Sequence, residues 1–241
     1  MTQAPTIRIA GQYDMAGTPL FAPIALTLPS GQWTCVLGRS GVGKSTLLRL
    51  IAGLETAGQF TGEIAASDGA ALRNRISYMA QSDLLLPWLS VLENIALGAR
   101  LRGQTPDMAR AKTLLQRVGL AAHGEMKPAS LSGGMRQRAA LARSLMEDRS
   151  AVLLDEPFSA LDASTRADMQ ELSAEMLRGK TVLLVTHDPT EAVQLGHQVV
   201  VLTPNGLQSW PTPNQQPLRD QFAPETTASQ AGLLALLRGL A

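Results

Sequence analysis

Eight residues, Gly38-Arg39-Ser40-Gly41-Val42-Gly43-Lys44-Ser45, fit the spacing G-x-x-x-x-G-K-[ST], in which every residue type has a task around a phosphate. Glycines let the backbone approach phosphate oxygens with no Cβ in the way. The N–H groups of Arg39, Ser40, Gly41, Val42 and Gly43, continued by Thr46, then point at one place, and a helix N-terminus adds positive potential there. Lys44 is the candidate donor to the β- and γ-phosphates, and the Ser45 hydroxyl is a candidate Mg²⁺ ligand.

Such a loop works only between a strand that holds it and a helix that receives the phosphate. Trp33-Thr34-Cys35-Val36-Leu37 reads as that strand, and Thr46–Ala52, stopped by Gly53, as that helix. Further strands are expected at residues 6–10, at 24–37 (broken by Pro29-Ser30-Gly31), at 64–66 and at 76–79. Helices are expected at 91–101, 107–118, 132–147 and 164–177. Ala151–Leu154, Thr181–Val185 and Gln198–Leu202 are continuous apolar runs, the pattern of parallel strands covered on both faces. From there to about residue 228 the chain reads as proline-rich loop, and a short apolar helix at 232–240 closes it. Strands alternating with helices predict an α/β fold with a mostly parallel, helix-flanked sheet.

Three more blocks carry chemistry-bearing residues in a fixed order. Leu131-Ser132-Gly133-Gly134-Met135-Arg136-Gln137-Arg138 heads a helix. The strand Ala151–Leu154 runs into Asp155-Glu156-Pro157, followed by Ser159-Ala160-Leu161-Asp162. His187 comes just after the strand 181–185, and Gln81 lies between the phosphate loop and the Leu131–Arg138 block. In this order the motifs resemble the ATPase subunit of ATP-binding cassette (ABC) transporters, over roughly residues 6–205. The resemblance implies a P-loop NTPase core (1–81 and 146–228) with an N-terminal antiparallel β region. It also implies an inserted α-helical subdomain (82–145), with a C-terminal helix after it (229–241).

It implies roles as well. Asp155, Ser45 and Gln81 are expected around Mg²⁺, Glu156 as general base for the attacking water, and His187 and Gln81 at the γ-phosphate. Ser132, Gly133 and Gly134 form a second anion site at a helix start. In the family that site caps the ATP held by Lys44 of a second copy, in a head-to-tail homodimer, with Asp162 coupling the two sites. Adenine is expected to stack on Tyr13, with Phe21 as the rival. The run Leu85-Leu86-Pro87-Trp88 is the expected contact with integral-membrane permease subunits, and it looks like the nitrate, sulfonate, taurine and hydroxymethylpyrimidine importer branch. A periplasmic solute-binding protein is then an indirect partner.

Composition narrows the rest. A net charge of +1 gives no argument for nucleic acid. The single cysteine, Cys35, excludes an internal disulfide and fits a reducing compartment. No apolar run of about 18 residues spans a bilayer, and Met1-Thr2-Gln3-Ala4-Pro5 lacks the features of a secretory leader. The expectation is an import-energising ATPase, peripheral on the cytoplasmic face of the inner membrane. The alternatives are a detached exporter or lipoprotein-release ATPase and a soluble non-transport ABC ATPase.

Overall fold

The computed structural model describes residues 4–239. Met1–Gln3, and Leu240 at the end of the expected last helix, lie outside the described residues. Two sheets form the frame. Strands β1 (Ile7–Met15), β2 (Thr18–Leu28) and β4 (Gln59–Ala66) pair antiparallel in the order β2-β1-β4. Strands β3 (Trp33–Leu37), β5 (Ile76–Met79), β6 (Ala151–Asp155), β7 (Thr181–Val185), β8 (Gln198–Thr203) and β9 (Gly206–Trp210) form the second sheet, in the order β5-β6-β7-β3-β8-β9. All its pairings are parallel except that of β8 with β9.

The continuous apolar runs are explained by what lies on each face of this sheet. Val36, Leu153, Leu183, Val185, Val200 and Leu202 pack with Ile7, Ile9, Phe21 and Leu47, on the side of the antiparallel sheet and helix α1 (Lys44–Ile51). Their alternates Cys35, Leu37, Val152, Leu154, Val182, Leu184, Val199 and Val201 pack on the other side, with the helical region. With two apolar faces and a side-chain period of two, most positions in these strands must be apolar. The loop strand β3 sits between β7 and β8, so both its edges are hydrogen-bonded.

Several elements depart from expectation. The stretch 91–101 is two short helices, α2 (Val91–Ile95) and α3 (Leu97–Leu101), separated at Ala96 (φ −84°, ψ 2°). A reciprocal cap holds the start of α2: Ser90 Oγ accepts from Glu93 N at 3.2 Å, and Glu93 Oε2 accepts from Ser90 N at 2.7 Å. Helices α4 (Met108–Arg117), α5 (Gly133–Met146) and α6 (Ala163–Met176) stand near their expected positions. The sequence reading missed helix α7 (Pro189–Leu195) and strand β9, and placed the start of α8 (Pro224–Gly239) eight residues late. Helix α8 docks on its own chain: Leu233 is fully buried, and Trp210 Nε1 donates to Ser229 Oγ at 3.0 Å.

The turn between β7 and α7 is built on two buried polar side chains. Thr186 Oγ1 donates to Glu191 Oε2 at 2.6 Å and accepts from Asp188 N at 3.0 Å, and Asp188 caps α7 by accepting from Thr190 N. From α6, Arg166 donates to Leu161 O and pairs with Asp188 at 3.5 Å and Glu191 at 3.9 Å. Burial pushes the Glu191 carboxyl up from 4.5 to about 7, against the pull of Thr186. The folded chain therefore keeps a proton on Glu191 that the unfolded chain releases, so raising the pH through this window favours unfolding. Glu191→Gln cannot ionise. Between about pH 5 and pH 8 it is expected to lose roughly 1–3 kcal/mol less stability than the parent chain in urea melts. Equal losses in the two proteins would reject a proton on Glu191.

Candidate active site

The 38–45 loop leaves β3 at its carboxyl end. Gly38 (φ 153°) lies so close to β8 that a Cβ would collide with the carbonyl of Leu202. Gly43 (φ 106°) caps α1 in the left-handed region, and a Cβ there would come within 2.9 Å of Leu20 and Phe21 from the β2 strand. Both positions therefore need glycine. Val42 is buried in the core and anchors the loop, whereas Arg39, Ser40, Gly41 and Ser45 are exposed and Thr46 is half-buried. No side chain caps the start of α1, so the first N–H groups of the helix lack a side-chain acceptor. Lys44 Nζ donates to Gly38 O at 2.8 Å and Arg39 O at 3.0 Å, which fixes the ammonium inside the loop. Burial lowers the Lys44 pKa, while Glu156 and Asp155 oppose the shift.

Strand β6 brings in the acids. Asp155 is 2% exposed, and its Oδ1 has no hydrogen-bond partner. Burial raises its pKa, hydrogen bonding from Ser45 works against the rise, and the neighbouring Glu156 adds to it. An orphaned carboxylate oxygen beside a serine hydroxyl suits a hard divalent cation. Among the described residues no three His, Cys, Asp or Glu side chains gather as a metal cage. A cation here would therefore share its oxygen ligands between protein and phosphate, as Mg²⁺ commonly does.

Glu156 follows in a left-handed conformation (φ 49°) that costs a non-glycine residue about 1–3 kcal/mol. That turn aims its carboxylate out of the sheet, where two other predicted residues meet it. His187 Nδ1 lies 3.1 Å from Glu156 Oε2, and Gln81 Nε2 donates to the same oxygen at 3.4 Å. Three residues separated by up to 106 positions thus converge on one oxygen. His187 is 64% exposed, so the cluster opens to solvent on one side.

Ser132, Gly133 and Gly134 stand on another element. Ser132 Oγ accepts from Met135 N at 3.2 Å and caps α5, with Ser132 and Gly133 exposed and Gly134 half-buried. Asp162 caps α6 by accepting from Thr165 N at 3.0 Å, and this bond holds its carboxyl below the usual range. The link from the head of α5 to Glu156 runs through buried Gln137, a residue not among those expected at the site. Its only signal is a polar residue one turn into a helix, on the buried face.

Two expectations are corrected. Tyr13 is 1% exposed. Its ring stacks on Phe21 (6.2 Å between centroids), and its hydroxyl accepts from Gly58 N. Phe21 is equally buried, so neither ring has a face free for adenine. Leu85 is buried in the core and cannot meet a permease; its neighbours Leu84 (61% exposed) and Trp88 (68% exposed) are the residues that project. Asn94 pins the loop beneath them, accepting from Leu86 N and donating to the carbonyls of Leu86, Leu89 and Ser90. Arg143 donates to the carbonyls of Asp83 and Leu84.

Comparison with known proteins places the chain in a family. Residues 21–159 match the family described as ABC transporter. An uncharacterized ABC transporter ATP-binding protein of Haemophilus influenzae is 48% identical over 188 residues, 77% of each chain. The aliphatic sulfonates import ATP-binding protein SsuB 2 of Agrobacterium fabrum is 46% identical over 188 residues, 77% of this chain and 71% of that one. The corresponding SsuB 1 of Rhodococcus jostii is 48% identical over 193 residues, covering 79% and 76%. Among solved structures, a dimeric post-hydrolysis state of the ATP-binding cassette MJ0796 bound to ADP and Pi superimposes with a TM-score of 0.73 at 27% identity. It covers 89% of this chain and 99% of that one. With a family match across more than half its residues and relatives identical at nearly every second position, this chain belongs to the ABC transporter family, as an ATP-hydrolysing, ATP-binding subunit.

Proposed function

We propose that the chain energises solute import across the bacterial inner membrane by closing head-to-tail on a second copy around two ATP molecules. One observation carries this reading. Gln81, Glu156 and His187 converge beside the Lys44 loop, while Ser132–Gly134 are presented on a separate, outward helix head. The first group can hold and attack a triphosphate. The second offers a hydroxyl, N–H groups and a helix dipole to a γ-phosphate held elsewhere. The sulfonate-import names of the relatives favour import over export, and the dimeric ADP- and Pi-bound neighbour supports pairing.

The same reading assigns each residue a role. Lys44 and the loop N–H groups bind the β- and γ-phosphates. Ser45, Asp155 and Gln81 would hold Mg²⁺, which when bound neutralises charge on the phosphate oxygens. Glu156 takes the proton of the attacking water, and His187 and Gln81 fix the direction of its carboxylate. Asp162 lies where α6 meets the paired copy. Among the described residues no helix is long and apolar enough to cross a membrane. Transport then requires integral-membrane permease subunits, with a periplasmic solute-binding protein acting through them. Leu84, Pro87 and Trp88 form the contact on the cytoplasmic side, on a loop stiffened from below by Asn94 and Arg143.

Three outcomes test this reading. Glu156→Gln is expected to bind ATP normally, to lower kcat by about 10²–10⁴, and to accumulate an ATP-bound dimer on size-exclusion chromatography. A variant with half the parent rate excludes Glu156 as the base. Lys44→Ala should weaken ATP binding by about tenfold or more, some 1.4 kcal/mol, in a fluorescent-nucleotide titration, and unchanged affinity removes Lys44 from the phosphate site. Trp88→Ala should release the permease subunits in a detergent pulldown while the isolated chain keeps its ATPase rate; an intact complex would place the membrane contact elsewhere.

A further inference from the structure

Gln137 lies one turn inside α5, 6% exposed, and both ends of its amide are engaged. Its Oε1 accepts from Ala160 N at 2.7 Å. Its Nε2 donates to Glu156 O at 2.8 Å and to Ser159 Oγ at 3.2 Å. Two oxygens on one side and an N–H on the other leave a single orientation for the amide. Ser159 Oγ also donates to Glu156 O at 3.0 Å, and Glu156 N donates to Val185 O at 2.9 Å. The peptide groups on both sides of the left-handed Glu156 are therefore fixed, one by strand β7 and the other by Gln137 with Ser159. The same turn touches the head of α5 directly: a Cβ on Gly134 would lie 3.1 Å from Ala160 O.

We infer that Gln137 is a positioning residue that ties the backbone of Glu156 to the head of α5, so that the Ser132–Gly134 end and the catalytic carboxylate move as one piece. Gln137 touches no reacting atom; it acts through the carbonyl of Glu156. Rotation of a left-handed residue swings its side chain, and a shift of about 1 Å in a reacting group can cost roughly 10²-fold in rate. The coupling half of the inference rests on the head-to-tail reading above. In that arrangement, a γ-phosphate of the paired copy arriving at Ser132–Gly134 loads the same helix that holds this chain's own Glu156. Each nucleotide then reports its presence to the opposite site through a single glutamine.

The test uses the full chain and two variants. Gln137→Glu keeps length and the acceptor for Ala160 N but removes the donor to Glu156 O. Gln137→Met keeps approximate volume and removes all three bonds. The expected result is a kcat lower by roughly 10²-fold in both, a Kd for ATP within about twofold of the parent chain, and a Hill coefficient for ATP hydrolysis that falls toward one. Parallel loss of kcat and ATP affinity would mark a merely structural role and overturn the inference. So would a kcat within about twofold of the parent in a folded variant. If Gln137→Met fails to fold in a thermal melt, the isosteric Gln137→Glu decides alone. Sedimentation of the parent chain with a non-hydrolysable ATP analogue tests dimer formation separately. A chain that stays monomeric with the analogue sinks the head-to-tail reading and its coupling, whereas a normal dimer with unaltered variants sinks the clamp itself.

Discussion

Ionised groups held almost out of water govern the rest of this molecule. Lys44 and Asp155 stand at the carboxyl edge of the central sheet, 8% and 2% exposed and close enough to feel each other's charge, and burial disfavours the charged form of each. Such groups persist only where opposite charge and hydrogen bonds compensate. The loop supplies part of that compensation through the carbonyls of Gly38 and Arg39. The remainder, an unpartnered Asp155 oxygen, is chemistry left available to a ligand. For the edge to stay dry, β3 must be central, its neighbours must be parallel, and both faces must be covered. The antiparallel sheet and α1 cover one face, and the helical region covers the other.

Around this edge, polar side chains do the aiming. Glu156 is turned outward by a backbone conformation that is unfavourable for its residue type, and the turn survives because hydrogen bonds over-determine it. The His187 turn is built likewise, on Thr186 and Glu191, with Arg166 reaching across from α6. The active-site loops are therefore connected to each other beneath the surface: the Asp162 end of α6 to the His187 turn through Arg166, and α5 to Glu156 through Gln137. The site behaves as a set of strand-end turns cross-braced by buried amides, hydroxyls and ions, rather than as independent loops.

How much of this was legible in the sequence follows from where each residue stands. The 38–46 segment starts, and Asp155, Glu156 and His187 sit, at or within two residues of the ends of short, mostly apolar strands, and such runs leave little choice of position. Tyr13 was misjudged although the signal was present. It shares odd numbering with Ile7 and Ile9 on β1, so a period of two already sends it into the core. The exposure of Leu84 and burial of Leu85 were not legible, because the loop has no periodicity and is held by Asn94, eight residues beyond Leu86, and by Arg143, 59 residues beyond Leu84. Strand β9 escaped notice because an edge strand with solvent on one side needs few apolar residues, and Gly206-Leu207-Gln208-Ser209-Trp210 has two large ones.

That edge strand has a consequence for solubility. β9 ends the sheet, and a bare sheet end is a template on which another chain can add a strand. Trp210 is anchored to Ser229, and Gly232 of α8 lies against its indole, so close that a Cβ would come within 3.0 Å. The last helix thereby shields the terminal Trp of β9 from neighbouring molecules. Its apolar residues thus cover part of the end of the sheet as well as the core.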